Sequence, residues 1–417
     1  MEDIKTLEDV RSYVRRKNLG KPALCRLLLR FWPHSAGEDP SNMSAMDCLV
    51  MVIRHVYCHL VPEDALDETI DANELLTFAF LNLGADTSAG LEKMQEARER
   101  MFGVIKKDWR LGKSPGFADL IESEPMLESI WSFEPFRLFH PILHKGLEAH
   151  IWELIADERK QALFEARESL VVWDTEKHER LEDAVANKFG IFEGRRWRFF
   201  QGTVEMAKFS RTSLVMRVNF LPRKRLENFD INTIREIKAP AHVPHYETKL
   251  DTESAPESKP VEYRDDDKGP GSYLLMAVVR LRDSESEFDS VRLYDVYGNN
   301  IVPNADAEES AGFVDDSWLL EHQDSSYMLF YFHNDGDTCH RVQDEVGRRR
   351  ADELHSQSGS PSLPDAEALD DEEPVGEEDP VNADDGKEMA SSEGRKRLPR
   401  LGRRKSSQML AGTSNSK

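Results

Sequence analysis

Two strongly apolar runs stand late in the chain, YLLMAVVRL at 273–281 and YMLFYF at 327–332, with VRLYDVYGNNIV at 291–302 between them. β-Branched, aromatic and aliphatic residues fill them and turn residues bound them, which is the composition of buried strands. The pattern predicts an antiparallel sheet that closes a folded unit. Upstream the period is helical. Ile4, Leu7, Val10 and Val14 recur at helical spacing over 2–17. Pro22 suits the first turn of a second helix, PALCRLLLRFW. Met46, Leu49, Val50, Ile53, Tyr57 and Leu60 share one face of a third, with Ser44 as its N-cap and Asp47 favouring its start electrostatically.

From about 63 to 190 the pattern stays helical, in ANELLTFAFLNLG, LEKMQEARERMFGVIKKDW, HKGLEAHIWELIADERKQALFEARESLVVW and KHERLEDAVANKF. RRWRFFQGTV and TSLVMRVNFLP then read as strands, the second stopped by Pro222. Residues 247–271 are polar and carry Pro and Gly, the signature of a surface insertion. Helices first and strands later predict an α+β fold. The expected layout is one folded unit over 1–345, helical over about 1–190 and β-rich over about 191–335.

Composition changes this picture only at the C-terminus. The chain has 417 residues and a formal net charge of −23. All seven Trp precede residue 345. Beyond it, 346–417 is poor in large apolar groups, so it is expected to be a disordered tail. Residues 365–393 hold thirteen acids and one base, Lys387, whereas Arg395–Lys405 (RKRLPRLGRRK) holds seven bases and no acid. The basic run reads as an importin-binding signal for nuclear entry. Ser406 follows three basic residues, as basophilic kinases accept. The acidic balance argues against nucleic acid as a partner of the whole chain. Four cysteines without a CxxC pair make neither a disulfide scaffold nor a structural zinc site. The absence of a GxxxxGK[ST] loop argues against an NTPase. No apolar run reaches the ~18 residues of a membrane span, and the N-terminus lacks a signal peptide's apolar core. A nuclear or cytoplasmic protein, without membrane contact and without cofactor or metal, is expected. His140 and His144 in FHPILHKGLEAH have the i, i+4 spacing of a helical metal pair, but Pro141 lies between them and no acidic ligand completes a motif.

Candidate chemistry centres on NMSAMDC at Asn42–Cys48. A side chain at a helix start feels free N–H groups and the macrodipole, which lowers a thiol's pKa. This stretch resembles the corresponding segment of papain-like cysteine hydrolases, which place the nucleophile at such a helix start. The resemblance puts Asn42 at the oxyanion position and Ser44, not a cysteine, at the nucleophile position. Cys48 lies one turn on, about 6 Å along the axis, as an alternative thiol. NLGKPALC at Asn18–Cys25 echoes a second box of ubiquitin-specific proteases, with Ala23 at the cysteine position and Cys25 two residues late.

The later strands are similar to the palm of ubiquitin-specific proteases: TSLVMRVNFLPRKR at Thr212–Arg225, YLLMAVVRL at Tyr273–Leu281, FDSVRLY at Phe288–Tyr294 and SYMLFY at Ser326–Tyr331. The family's catalytic histidine would fall on Phe288, Asp289 or Ser290, with Asp289 the degenerate position. Asn300 or Asn299 would be the orienting group, and Trp318 with Asp315 and Asp316 faintly echoes its usual surroundings. His322 and His333 are the substitutes on offer. The resemblance implies a papain-like architecture with a helical thumb and an antiparallel β palm, and ubiquitin or a ubiquitin-like protein as ligand. With Cys and His both missing, it further implies a degenerate member that binds without efficient cleavage. An active, divergent thiol-dependent deubiquitinase using Cys48 or Cys25, and a nuclear interaction scaffold unrelated to ubiquitin, are the alternatives.

Overall fold

The computed structural model describes residues 4–30, 32–33, 43–60, 67–84, 87–109, 111, 114–146, 152–196, 203–224, 229–245, 262–301, 320 and 325–334. Asn42, His150, residues 247–261, Asp315, Asp316, Trp318, His322, Cys339 and the whole segment 346–417, with Arg395–Lys405 and Ser406, lie outside them.

The chain folds as a mixed α+β structure. Its helical half opens with α1 (Val10–Arg16), α2 (Lys21–Arg30), α3 (Ser44–Leu60), α4 (Asp67–Asp71), α5 (Glu74–Ala79), α6 (Ser88–Asp108), α7 (Phe117–Ile121) and α8 (Glu124–Met126). The first helix starts at Val10 and not near residue 2. Asp9 accepts hydrogen bonds from the Arg11 and Ser12 amides, and Leu7 has φ of 63°, a conformation that no helix tolerates. Pro22 sits in the first turn of α2, as the pattern requires.

The expected helix over 144–173 divides into β1 (Leu143–Gly146), α9 (Glu158–Glu168) and β2 (Leu170–Asp174). Gln161, Leu163, Phe164 and Ala166 are buried in α9, and the following LVVW has the β-branched and aromatic character of a strand. Ser169 closes α9, its N–H and Oγ both donating to the Glu165 carbonyl. The helical half therefore contains strands, and one of them is built into the main sheet. After α10 (Leu181–Ala186) come β3 (Gly190–Arg196) and β4 (Thr203–Lys208), two antiparallel strands where one was expected. β5 (Val215–Leu221), β6 (Glu236–Ala239), β7 (His242–His245), β8 (Glu262–Asp265), β9 (Gly271–Leu281), β10 (Ser290–Tyr294), β11 (Asn300–Ile301) and β12 (Ser326–His333) follow. Residues 262–265 and 271 of the expected insertion thus belong to β8 and the start of β9.

The main sheet runs β11-β10-β9-β12-β5-β2, with β6 pairing β9 beside β10. All its pairs are antiparallel except β2–β5. Smaller sheets are β1-β4-β3 and β7-β8. Side chains of β12 alternate between two cores: Met328, Phe330 and Phe332 join the helical half, while Tyr327, Leu329 and Tyr331 pack with β2, α10 and β6. Both faces are covered, so the strand sequence is continuously apolar instead of alternating.

α3 is the axis of the helical core, packed by α2, α5, α7 and β10. Its apolar stripe was expected on one face. Every residue from Ser44 to His59 is buried, including Asp47, Arg54 and His55. Each charged group inside therefore requires a partner. Arg54 donates to the carbonyls of Leu28 (2.9 Å), Ala79 (2.6 Å) and Leu81 (2.7 Å), at or near the ends of α2 and α5, where carbonyls lack helical partners. Burial lowers its pKa to about 9. Asp47 accepts from both Nε and Nη2 of Arg98 in α6.

Candidate functional site

The start of α3 and the start of β10 meet. Met43 supplies the carbonyl that begins α3, accepting from the Asp47 amide at 3.0 Å, so Ser44 is the first helical residue and not the cap. The Ser44 hydroxyl instead accepts a hydrogen bond from the Asp289 N–H at 3.0 Å. One turn on, the Cys48 thiol donates to the Asp289 carbonyl at 3.3 Å. The first turn of α3 thereby grips the backbone of Asp289 at two points.

Asp289 reaches this place because β10 is a hairpin partner of β9. Ser290 pairs with Arg280, so Asp289 lies just beyond the ladder, beside Arg282. The Arg282 amide donates to Asp289 Oδ1 at 3.2 Å, and Arg282 Nε lies 3.7 Å from Oδ2. The guanidinium also holds Ser114, donating to its carbonyl at 2.5 Å and its hydroxyl at 3.0 Å. Arg282 and Ser114 were not anticipated as members of this cluster. The one signal was an arginine seven residues before Asp289, on the opposite arm of a hairpin.

The junction is closed. Ser44 and Asp289 are each 1% exposed and Cys48 is fully buried. Burial raises the Asp289 carboxyl to about 6, against the pull of the Arg282 and Phe117 amides and the Arg282 charge. Burial, with the Asp289 and Asp47 charges nearby, pushes the Cys48 thiol well above its ordinary value. A thiolate is therefore disfavoured here, the reverse of what a helix start gives an exposed thiol. A serine nucleophile needs a general base. Position 289 supplies a carboxylate whose hydrogen-bonding to Ser44 runs through the backbone N–H.

The other expected participants lie elsewhere. Asn300 is exposed and pairs with Tyr294 at the far end of β10, about 17 Å of strand from Asp289. It does not orient the 289 side chain. His333 pairs with Tyr273, at the end of β9 remote from Leu281, so it does not reach the Ser44–Asp289 junction. Cys25 in α2 donates its thiol to the Cys58 carbonyl at 3.5 Å, in the last turn of α3, about 21 Å of helix from Ser44. His140 and His144 are not on one helix: His144 is in β1, and His140 Nε2 lies 2.8 Å from the His242 carbonyl. Among the described residues no group of three or more His, Cys, Asp or Glu is arranged to hold a metal ion. None of the described helices is long and apolar enough to cross a membrane.

A scan of protein-family models finds none that matches this chain, and a search of curated proteins returns no match.

Proposed function

We propose that this chain is a degenerate relative of ubiquitin-specific proteases that binds ubiquitin or a ubiquitin-like modifier without efficient cleavage. In this reading α1–α7 form the thumb and the seven-stranded sheet the palm of a papain-like architecture. One observation carries it. Ser44 and Asp289, 245 residues apart, were singled out as the nucleophile and histidine positions by motif alone, and they are joined by a 3.0 Å hydrogen bond.

The same contact supports the loss of activity. Two hydrogen bonds to the Asp289 backbone engage the Ser44 hydroxyl and the Cys48 thiol, and positions 44 and 289 carry neither the thiol nor the imidazole of an active thiol protease. Cys48, the thiol nearest to hand, is buried among carboxylates. Partner binding then rests on the outer surface and not on threading a chain end through the junction. Residence in the nucleus or cytoplasm, with importin contact through Arg395–Lys405, belongs to the same proposal.

A ubiquitin bearing a C-terminal electrophile separates the degenerate reading from an active, divergent thiol enzyme. Intact mass should show no adduct after prolonged incubation with the full chain. A single ubiquitin adduct, abolished by Cys48→Ala or Cys25→Ala, would replace degeneracy with activity. Immobilised ubiquitin should also retain the full chain; failure to retain it at high micromolar concentration would leave the unrelated scaffold.

A further inference from the structure

A second feature lies at the opposite end of β10. There the β10–β11 hairpin bends away from β9 and β6 takes its place on the same edge, leaving a cleft of about 420 Å³. Leu274, Val296 and the half-exposed Tyr297 form its apolar wall. Arg235 and Glu236 enter from β6 and the residue before it, and Asn232 and Asn334 complete the polar side.

Arg235, half-buried, reaches the cleft across the turn that follows β10. Its guanidinium lies over Gly298, a turn residue with φ of +79°, and a Cβ there would overlap the guanidinium. Among the described residues the guanidinium has no hydrogen-bond or ion-pair partner, whereas Arg54, Arg98 and Arg217 all have theirs. Glu236 beside it accepts from the Ser272 hydroxyl at 2.8 Å and keeps its remaining oxygen for another donor. A cleft with an unpaired guanidinium, a carboxylate and an apolar wall matches a ligand offering a carboxylate, amide N–H groups and an aliphatic side chain together.

We propose that this cleft binds an extended acidic peptide, with a carboxylate of the peptide in the fork of Arg235, its amide donors toward Glu236, and an aliphatic residue against Tyr297. The site is separate from the Ser44–Asp289 junction and does not depend on the ubiquitin reading.

Fluorescence anisotropy with a labelled peptide of alternating Glu and Leu, titrated with the full chain, tests this. Saturable binding is expected, weakened about tenfold to a hundredfold by Arg235→Gln or by replacing Glu with Gln in the peptide. Arg235→Lys, which keeps the charge and loses the fork, should fall between. Gly298→Ala should weaken binding by displacing the guanidinium. Unchanged circular dichroism and unfolding midpoints in the Arg235 variants exclude a folding effect, because this side chain is not part of the core. Equal binding by wild type and Arg235→Gln, or no saturation by about 1 mM, would overturn the proposal. Displacement by succinate as effective as by unlabelled peptide would overturn its peptide component and leave a small-carboxylate site.

Discussion

Replacing Asp289 by Asn should abolish a specific pH dependence of stability. The carboxyl is raised from 3.8 to about 6 in the fold, chiefly by burial. For an acid the consequence has a definite sign. Between those values the unfolded chain has released the proton and the folded one still holds it, so stability falls as pH rises. The full difference is about 3 kcal/mol at 1.36 kcal/mol per pKa unit, of which about 2 kcal/mol is lost between pH 4.5 and 7.5. Asn keeps the shape and cannot ionise. Urea unfolding of both proteins at several pH values isolates the group, because every other titration cancels in the difference. Relative to wild type, Asp289→Asn should gain about 2 kcal/mol from pH 4.5 to 7.5. A flat difference, or a variant that loses ground at high pH, would mean that Asp289 is hydrated or fully paired with Arg282, and the closed junction would be wrong.

Three further outcomes follow from the core. Arg54→Met should cost about 3–5 kcal/mol in urea unfolding, because it leaves the Leu28, Ala79 and Leu81 carbonyls without their donor; a cost below about 1 kcal/mol would show that water replaces the guanidinium. His59 is depressed from 6.5 to about 4 by burial and by the Lys21 charge, so its contribution is intact above pH 6.5 and about 3 kcal/mol is lost on acidification to pH 4. His59→Phe should remove that part of the acid sensitivity, and an unchanged acid profile would contradict the assignment. Native Cys48 should react with a thiol reagent only at the rate of unfolding, so its labelling rate should rise with urea in step with denaturation; rapid labelling without urea would show an accessible thiol.

The late strands were legible because a strand buried on both faces must be apolar throughout, and Tyr273–Leu281 and Ser326–Tyr331 are. The third helix was legible as a helix but not as a core axis. Its polar residues, Asp47, Arg54 and His55, fit a solvent face at 3.6-residue spacing. What buries them is supplied by α2, α5, α6 and β10, which periodicity within one segment does not reveal. The boundary between Ser169 and Leu170 was hidden because helical and strand patterns are both apolar there and the join carries no Gly or Pro. At the candidate site, motif reading brought Ser44 and Asp289 together. It could not foresee that they would touch through a backbone N–H, that Arg282 would hold the carboxylate, or that Asn300 would stand at the wrong end of its strand.

Ubiquitin binding is tested most directly by a titration of isotope-labelled ubiquitin with the unlabelled full chain, followed by NMR. Saturable shifts or broadening confined to one face of ubiquitin are predicted, with ubiquitin's own mass unchanged at the end. A spectrum that remains unaltered at about 500 μM of the chain, or one that changes because ubiquitin becomes covalently attached, would contradict the claim of a binding, non-cleaving relative.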